Sequence, residues 1–268
     1  MPLWTLRGLI QGTATTEWPK DPAAHGQHGT LGMPRVGAER CTEDCHRCAE
    51  ACPTNAIALD TRGHLETLDY GRCIHCQLCV EACPSGTLQP SSEWAFGVRE
   101  REDLLWSLAP EVLPAEARLA EHIEHSFRGS LHVRHVDAGS CNGCESELQA
   151  LNNPFYNLHR LGIFFTASPR AADLLLVTGT VTTAMREPLQ AAWTAMPDPK
   201  RVLACGTCAV SGGVCGGTET SGNGLEGVLP VDVWLPGCPP NPAAIIEALL
   251  LLLERKPQRI HGGRVHER

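Results

Sequence analysis

The chain has 268 residues, a formal net charge of −8, and 43% hydrophobic but only 5% aromatic residues. That length buries a real core in one large or two smaller domains. The acidic balance argues against nucleic acid or an anionic membrane surface as the main partner. Twenty-six glycines and twenty prolines predict many loops, and fourteen cysteines are the outlying count.

The first residues, MPLWTLRGLIQGTATTEWPK, lack a charged segment followed by a long apolar run. They also lack a twin-arginine pair, so no export signal is expected and the chain reads as cytosolic. The cysteines fall in tight local groups, mostly two residues apart, which suits metal ligation better than long-range disulfides.

The first group is an internal repeat. Residues 41–52 read CTEDCHRCAEAC and residues 73–83 read CIHCQLCVEAC, each followed by proline. The tails ACPTNAI and ACPSGTL align at an offset of 31 residues, Cys52 to Cys83. A cubane needs four thiolates; three come from one short turn and the fourth from elsewhere. Two four-cysteine zinc sites are the alternative, but the duplication and the C-x3-C-P endings favour iron–sulfur chemistry.

The runs resemble bacterial-type two-cluster ferredoxins, in which the fourth cysteine of each run serves the other cluster. That resemblance assigns Cys41, Cys45, Cys48 and Cys83 to one 4Fe-4S cluster, and Cys73, Cys76, Cys79 and Cys52 to a second. The first run carries one extra residue, which puts Thr42 where the usual spacing places a ligand; Cys41 is still the only cysteine near.

Residues 85–132 carry no cysteine. REREDLLWSL (99–108) and PAEARLAEHIEHSF (114–127) read as helices, forming either a connector or a strap for a partner. His122, His125, His132 and His135 lack a completing thiolate or carboxylate pattern and read as solvated or loop histidines. From residue 131 short apolar runs alternate with helical stretches. LHVRHVD (131–137), GIFFTA (162–167), ADLLLVTG (172–179), KRVLACG (200–206) and VDVWLPG (231–237) read as strands. ESELQALNN (145–153), TAMREPLQAAWTAM (183–196) and PAAIIEALLLLLERK (242–256) read as helices, with Pro188 a kink or a late start. The run IIEALLLLL, interrupted by Glu247, is too short to span a bilayer and reads as a buried core helix. This alternation predicts a doubly wound parallel α/β sheet, with sites gathering beyond the carboxyl ends of its strands.

The remaining cysteines fall at those ends: Cys141 and Cys144 in GSCNGCESE, Cys205 and Cys208 in ACGTCAVSGG, Cys238 in LPGCPPNP, and Cys215 slightly beyond. The glycines around residues 212–217 complete no phosphate loop, and close backbone approach to a cluster is the better reading.

GSCNGCESE, VTGTVT, PDPKRVLACGTCAVSGG and LPVDVWLPGCPP resemble the small subunit of membrane-associated, energy-converting (group 4) nickel–iron hydrogenases, including that of formate hydrogenlyase. They are also related to the cluster-bearing subunit of respiratory complex I. The likeness covers about residues 131–254. The N-terminal part, from GTATTEWPKDP through both cysteine runs, resembles the ferredoxin-like subunit of the same hydrogenlyase, so the chain looks like two subunits fused. The resemblance implies a flavodoxin-like C-terminal domain whose proximal 4Fe-4S cluster sits on Cys141, Cys144, Cys208 and Cys238. Cys208 is preferred because it fills the G-x-C-A-x-S-G-G slot. Cys205 then reads as a small buried residue, and Cys215 has no assigned role.

The expected organisation is an extension (1–35), an α+β two-cluster ferredoxin domain (36–90), a helical linker (91–130), the small-subunit-like domain (131–254) and a basic, solvated or partner-ordered tail (255–268). The implied function is an oxidoreductase subunit, the electron-transfer chain of a multisubunit hydrogenase. Three 4Fe-4S clusters would lead to a nickel–iron centre in a separate large subunit, the counterpart of the complex I 49-kDa subunit. Other peripheral and membrane subunits and an electron-donor module or ferredoxin complete the expected partners, with no nucleic acid. The expected location is peripheral, on the cytoplasmic side of the inner membrane. A complex I-like quinone-reducing module is the alternative, but its family sets two cysteines adjacent where Asn142 and Gly143 intervene here. A redox sensor or scaffold is a third reading. Glu145 and Glu147 have two open roles: proton relay beside a partner's active site, with Glu145 the candidate, or charges complementing a helix N-terminus.

Overall fold

The computed structural model describes residues 3–107, 112–113, 130–259, 261 and 265–266. The helix expected at 114–127, with His122 and His125, lies outside the described residues.

The scaffold is a five-stranded parallel sheet built by β6 (Leu131–Asp137), β7 (Ile163–Phe165), β8 (Leu174–Thr178), β9 (Arg201–Cys205) and β10 (Val233–Leu235). The spatial order is β10-β9-β8-β6-β7, the flavodoxin-like order, whose reversal falls between β6 and β8. Every residue of β8 is buried, as a central strand covered on both faces requires. Leu174 and Leu176 enter one core; Leu175 and Val177 enter the other.

The helix α7 (Pro242–Leu252) is apolar nearly all round and wholly buried on the first face. Pro242 opens it, and the Asn241 side chain caps it by accepting the Ala244 N–H at 2.8 Å. Its one charge, Glu247, is 8% exposed and is held by Arg259 through Nε at 2.7 Å and Nη2 at 3.2 Å. Helix α4 (Gly143–Ala150) packs beside it through Leu148. On the opposite face lies α5 (Thr183–Ala195), which carries Pro188 in its interior and buries Leu189. The short α6 (Thr207–Ser211) follows β9. Among the described residues no helix is long and apolar enough to cross a membrane.

The cysteine-rich region rests on that same opposite face. Its repeat is visible in three dimensions. Helix α2 (Arg47–Glu50) and helix α3 (Leu78–Glu81) stand at the offset the sequence gives. So do the left-handed residues Asp44 (φ 54°) and His75 (φ 59°). The extra residue of the first run therefore falls before Asp44, and Thr42 is exposed. Antiparallel strands β2 (Ile57–Leu59) and β3 (Leu65–Asp69) pair in this region, as do β1 (Arg35–Val36) and β4 (Leu88–Gln89). Met33, Leu65, Leu68 and Phe96 share one core with Val177, Val202 and Ala204 of the parallel sheet.

Two expectations change, at the linker and at the tail, and the N-terminal extension gains a place. The helix read over 99–108 is a 3-10 turn, Arg101–Leu104, followed by β5 (Leu105–Ser107), which pairs antiparallel with β3. The described part of the linker is thus not helical and extends the ferredoxin-type sheet. The N-terminal extension is a strap on the parallel-sheet domain. Trp18 is 1% exposed and meets Trp94 edge-on at 6.3 Å, and Arg160 donates to the Thr16 carbonyl at 2.6 Å and to the Trp18 carbonyl. The described part of the basic tail is docked rather than solvated. Arg255 donates to Leu161 O at 2.6 Å, Gln258 to Asp103 at 2.8 Å, and His261 stacks on Phe96 at 3.8 Å.

Candidate metal centres

All fourteen cysteines are free thiols, and their mutual charges group them in three neighbourhoods. Cys48 reveals the first set: its thiol is pushed up to about 11 by burial, then by the thiolates of Cys83, Cys41 and Cys45. In the second set, Cys79 and Cys73 are each pushed up to about 12, by burial first and then by neighbours that include Cys52 and Cys76. Cys52, Cys73, Cys76 and Cys79 line one cavity with Ile57 and Leu68. Each run therefore sends its last cysteine to the other run's set. The sets adjoin, because the Cys48 charge also reaches Cys79.

Donors aim at these sulfurs in matched pairs. Thr54 Oγ1 lies 3.6 Å from Cys52 Sγ, and its repeat equivalent Ser85 Oγ lies 3.5 Å from Cys83 Sγ. The Ala56 N–H donates to Cys52 Sγ at 3.3 Å and the Leu65 N–H to Cys41 Sγ at 3.4 Å. Burial raises the Cys83 thiol, but bonds from the Leu88 backbone, the Ser85 side chain and the Gly86 and Thr87 backbones outweigh it, so its pKa is lowered.

The third set forms at the carboxyl end of the parallel sheet. Cys141 lies in the turn from β6 into α4, Cys144 in the first turn of α4 and Cys208 in α6, and Cys238 follows β10. Burial, then the charges of Cys205, Glu145, Cys208 and Cys238, pushes the Cys144 thiol up. Cys208 is pushed up to about 11 by burial and then by Cys238, Cys141 and Cys215. Glycines make room. A methyl group on Gly206 (φ 94°) would stand 2.6 Å from Cys144 Sγ, and one on Gly213 would stand 3.1 Å from Cys208 Sγ. Cys205 is fully buried at the end of β9, whereas Cys215 is exposed.

The donor chemistry fits iron–sulfur clusters. Crowded, buried thiols resist ionisation on their own, and bound iron stabilises their thiolate form. Among the described residues no three His, Cys, Asp or Glu side chains converge tightly enough for one metal ion; a cubane instead spreads its thiolates over four corners.

The carboxylate of Glu145 is built into the wall of the third set. Ser140 Oγ donates to its Oε2 at 2.7 Å and Thr178 Oγ1 donates to its Oε1, while His135 Nε2 lies 2.9 Å from Thr178 Oγ1 and 3.6 Å from Glu145 Oε1. This network ties the end of β8 to the turn after β6. His135 is therefore not a solvated loop histidine: it sits on β6 with its side chain 25% exposed, and burial lowers its pKa. His132 also lies on β6, 3.3 Å from Asp173. The Glu147 carboxyl is pushed up by burial.

Sequence reasoning missed Thr207 and Ser211. Thr207 Oγ1 donates to the Cys73 carbonyl at 2.9 Å and accepts the Gly237 N–H at 3.0 Å. Ser211 Oγ donates to the Gly71 carbonyl at 2.9 Å. The available signal was two hydroxyls four residues apart in TCAVS, on one face of a helix.

Residues 141–252 match the family described as NADH ubiquinone oxidoreductase, 20 Kd subunit, and residues 40–87 match the 4Fe-4S dicluster domain. The chain is 43% identical over 147 residues to the probable membrane-bound hydrogenase subunit mbhJ of Pyrococcus furiosus, covering 55% of this chain and 87% of that protein. The chain belongs to the 20 Kd subunit family. It is also 45% identical over 136 residues to formate hydrogenlyase subunit 7 of Escherichia coli strain K12, covering 51% of this chain and 53% of that protein. The match thus spans about half the length of this curated relative. A chain in the structure of the membrane-bound sulfane sulfur reductase, an archaeal respiratory membrane complex, aligns at 33% identity and a TM-score of 0.44, covering 51% of this chain and 75% of that one. As a 20 Kd subunit family member, the chain joins an iron–sulfur dicluster domain to the family's α/β domain.

Proposed function

We propose that this chain is the electron-transfer subunit of a membrane-associated, multisubunit nickel–iron hydrogenase of the formate hydrogenlyase type. Its three 4Fe-4S sites would be Cys41, Cys45, Cys48 and Cys83; Cys52, Cys73, Cys76 and Cys79; and Cys141, Cys144, Cys208 and Cys238. The partners would be a large subunit carrying the nickel–iron centre, membrane subunits that hold the chain peripherally on the cytoplasmic side, and an electron-donor module.

One observation carries the reading: a contact links each thiol set to the next. The first set's Cys48 acts electrostatically on Cys79 of the second. The second set's Cys73 is hydrogen-bonded to Thr207, the neighbour of Cys208 in the third. Bound in these sites, 4Fe-4S clusters supply reversible one-electron transfer. The chain's own residues set the conditions. Thr54, Ser85 and the N–H groups of Ala56 and Leu65 stabilise negative charge on the sulfurs. Packing of the cysteine-rich region on the sheet buries Cys48 and Cys79, where the first two sets adjoin, while Cys76 stays exposed. Cys141 and Cys238 are exposed, which leaves the third set open to a large subunit. Glu145 has both oxygens engaged by the chain's own hydroxyls, which favours a brace for this wall over a proton relay.

Iron and sulfide analysis of the anaerobically purified chain tests the proposal. About twelve irons per chain are expected at one cubane per four cysteines, and about four would break the three-site reading. Hydrogen uptake set beside quinone reduction, in the complex with its large subunit, separates the hydrogenase reading from a quinone-reducing module.

A further inference from the structure

One of the places where the two halves of the molecule meet is a single short helix. Helix α6 presents Thr207 and Ser211, four residues apart, to the backbone of residues 71–73. Thr207 is 1% exposed, and its hydroxyl makes two bonds: it donates to Cys73 O and accepts from Gly237 N. Its backbone N–H also donates to Gly237 O at 2.8 Å. One buried side chain thus joins three turns, each carrying a site cysteine: Cys73 itself, Cys208 next to Thr207, and Cys238 next to Gly237. Ser211 adds a second strut, with its hydroxyl on both Gly71 O and, at 3.1 Å, Thr207 O.

We infer that Thr207 is the positioning residue that fixes the second cysteine set against the third, setting the separation that an electron crosses between them. The inference rests on the cluster assignment proposed above. The physical argument is the cost of the alternative. Without the hydroxyl, the buried Cys73 carbonyl and Gly237 N–H lose a partner at once. Water cannot replace the hydroxyl without pushing the turns apart. Removing the hydroxyl therefore loosens the spacing, while every proposed cysteine ligand stays in place.

The test compares Thr207→Val, which keeps the shape and loses the donor, with Thr207→Ser, which keeps the donor. Ser211→Ala serves as the weaker second variant. Two readouts are taken on the full chain. The first is hydrogen exchange at residues 71–76 and 237–238, measured with and without iron. The second is the magnetic coupling between the reduced second and third sites, recorded with their reduction potentials. In Thr207→Val, exchange at both segments is expected to rise severalfold, and the coupling and inter-site transfer rate to fall severalfold, with iron content unchanged. Thr207→Ser is expected to restore the wild-type values. Unchanged exchange in Thr207→Val, or a Ser variant as defective as the Val variant, overturns the inference. A low iron count in the wild-type chain breaks the three-site reading instead, and exchange at Gly237, whose N–H bonds Thr207 within the half that keeps its fold without metal, still decides the strut.

Discussion

The two halves of the molecule bring thiols together by opposite routes. In the cysteine-rich half the ligand-bearing elements are short: α2 and α3 are four residues each, and β1 and β4 are two each. Each set borrows its last cysteine from the other run, so neither is complete alone. In the α/β half the thiols are passengers at the ends of buried strands whose order and burial owe nothing to them. A four-residue helix is far too short to stand by itself, so the cysteine-rich half is expected to need bound metal to fold, and the α/β half to fold without it.

Iron removal is the sharpest way to break that contrast and carries the largest expected effect. Chelation under reducing conditions should abolish hydrogen-exchange protection across residues 41–89, because metal binding there is folding free energy. The strands β6, β8 and β9 and helix α7 should keep most of theirs. Collapse of both halves together, or survival of both, would show that the scaffold argument is wrong.

The same contrast explains what could be read in advance. Both sets in the cysteine-rich half were legible because the spacing, the repeat and the trailing prolines lie within one stretch of sequence. The five strands were legible as short apolar or alternating runs, three of them ending at glycine. The third set was less so. Three loops deliver it, and the choice of Cys208 over Cys205 came from resemblance, since spacing alone treats the two alike. The segment 99–108 misled because REREDL has a helical pattern, while the pairing of β5 with β3 is a tertiary event. The tail was misjudged for a related reason. Its order depends on Gln258 meeting Asp103 and on His261 meeting Phe96, contacts between residues far apart in sequence.

A smaller and more local effect distinguishes the two halves at their glycines. Gly206 (φ 94°) would place a methyl 2.6 Å from Cys144 Sγ, while Gly86 (φ 72°) has nothing within 4 Å. Both alanine variants carry backbone strain: about 1–2 kcal/mol for a left-handed residue at Gly86, and about 1–3 kcal/mol at Gly206, whose φ 94° and ψ 152° only glycine readily adopts. Only Gly206→Ala also displaces a thiol. It should lose about four of some twelve irons, all from the third set, whereas Gly86→Ala should keep the full complement and show only a lower melting temperature. Equal iron content in the two variants would mean that the third set has slack that its glycine cradle does not suggest.

The smallest expected effect lies at the seam between the halves, where the tail closes over the cysteine-rich half. His261 stacks on Phe96 and its Nε2 lies 2.8 Å from Ala95 O. Burial is the strongest influence on its pKa. The Ala95 carbonyl, Glu93 and Glu247 favour the charged ring and Arg259 opposes it, and the balance leaves the pKa below the usual histidine value. A histidine with a lowered folded-state pKa binds fewer protons folded than unfolded. The docking energy is therefore complete above the ordinary histidine pKa and is lost as the pH falls through it. Proteolytic nicking at residues 255–261 should accordingly rise between about pH 7 and about pH 5. His261→Gln, which cannot titrate, should flatten that profile. Should the histidine and glutamine chains show the same pH dependence, the Glu247–Arg259 pair holds the tail and His261 only fills space against Phe96.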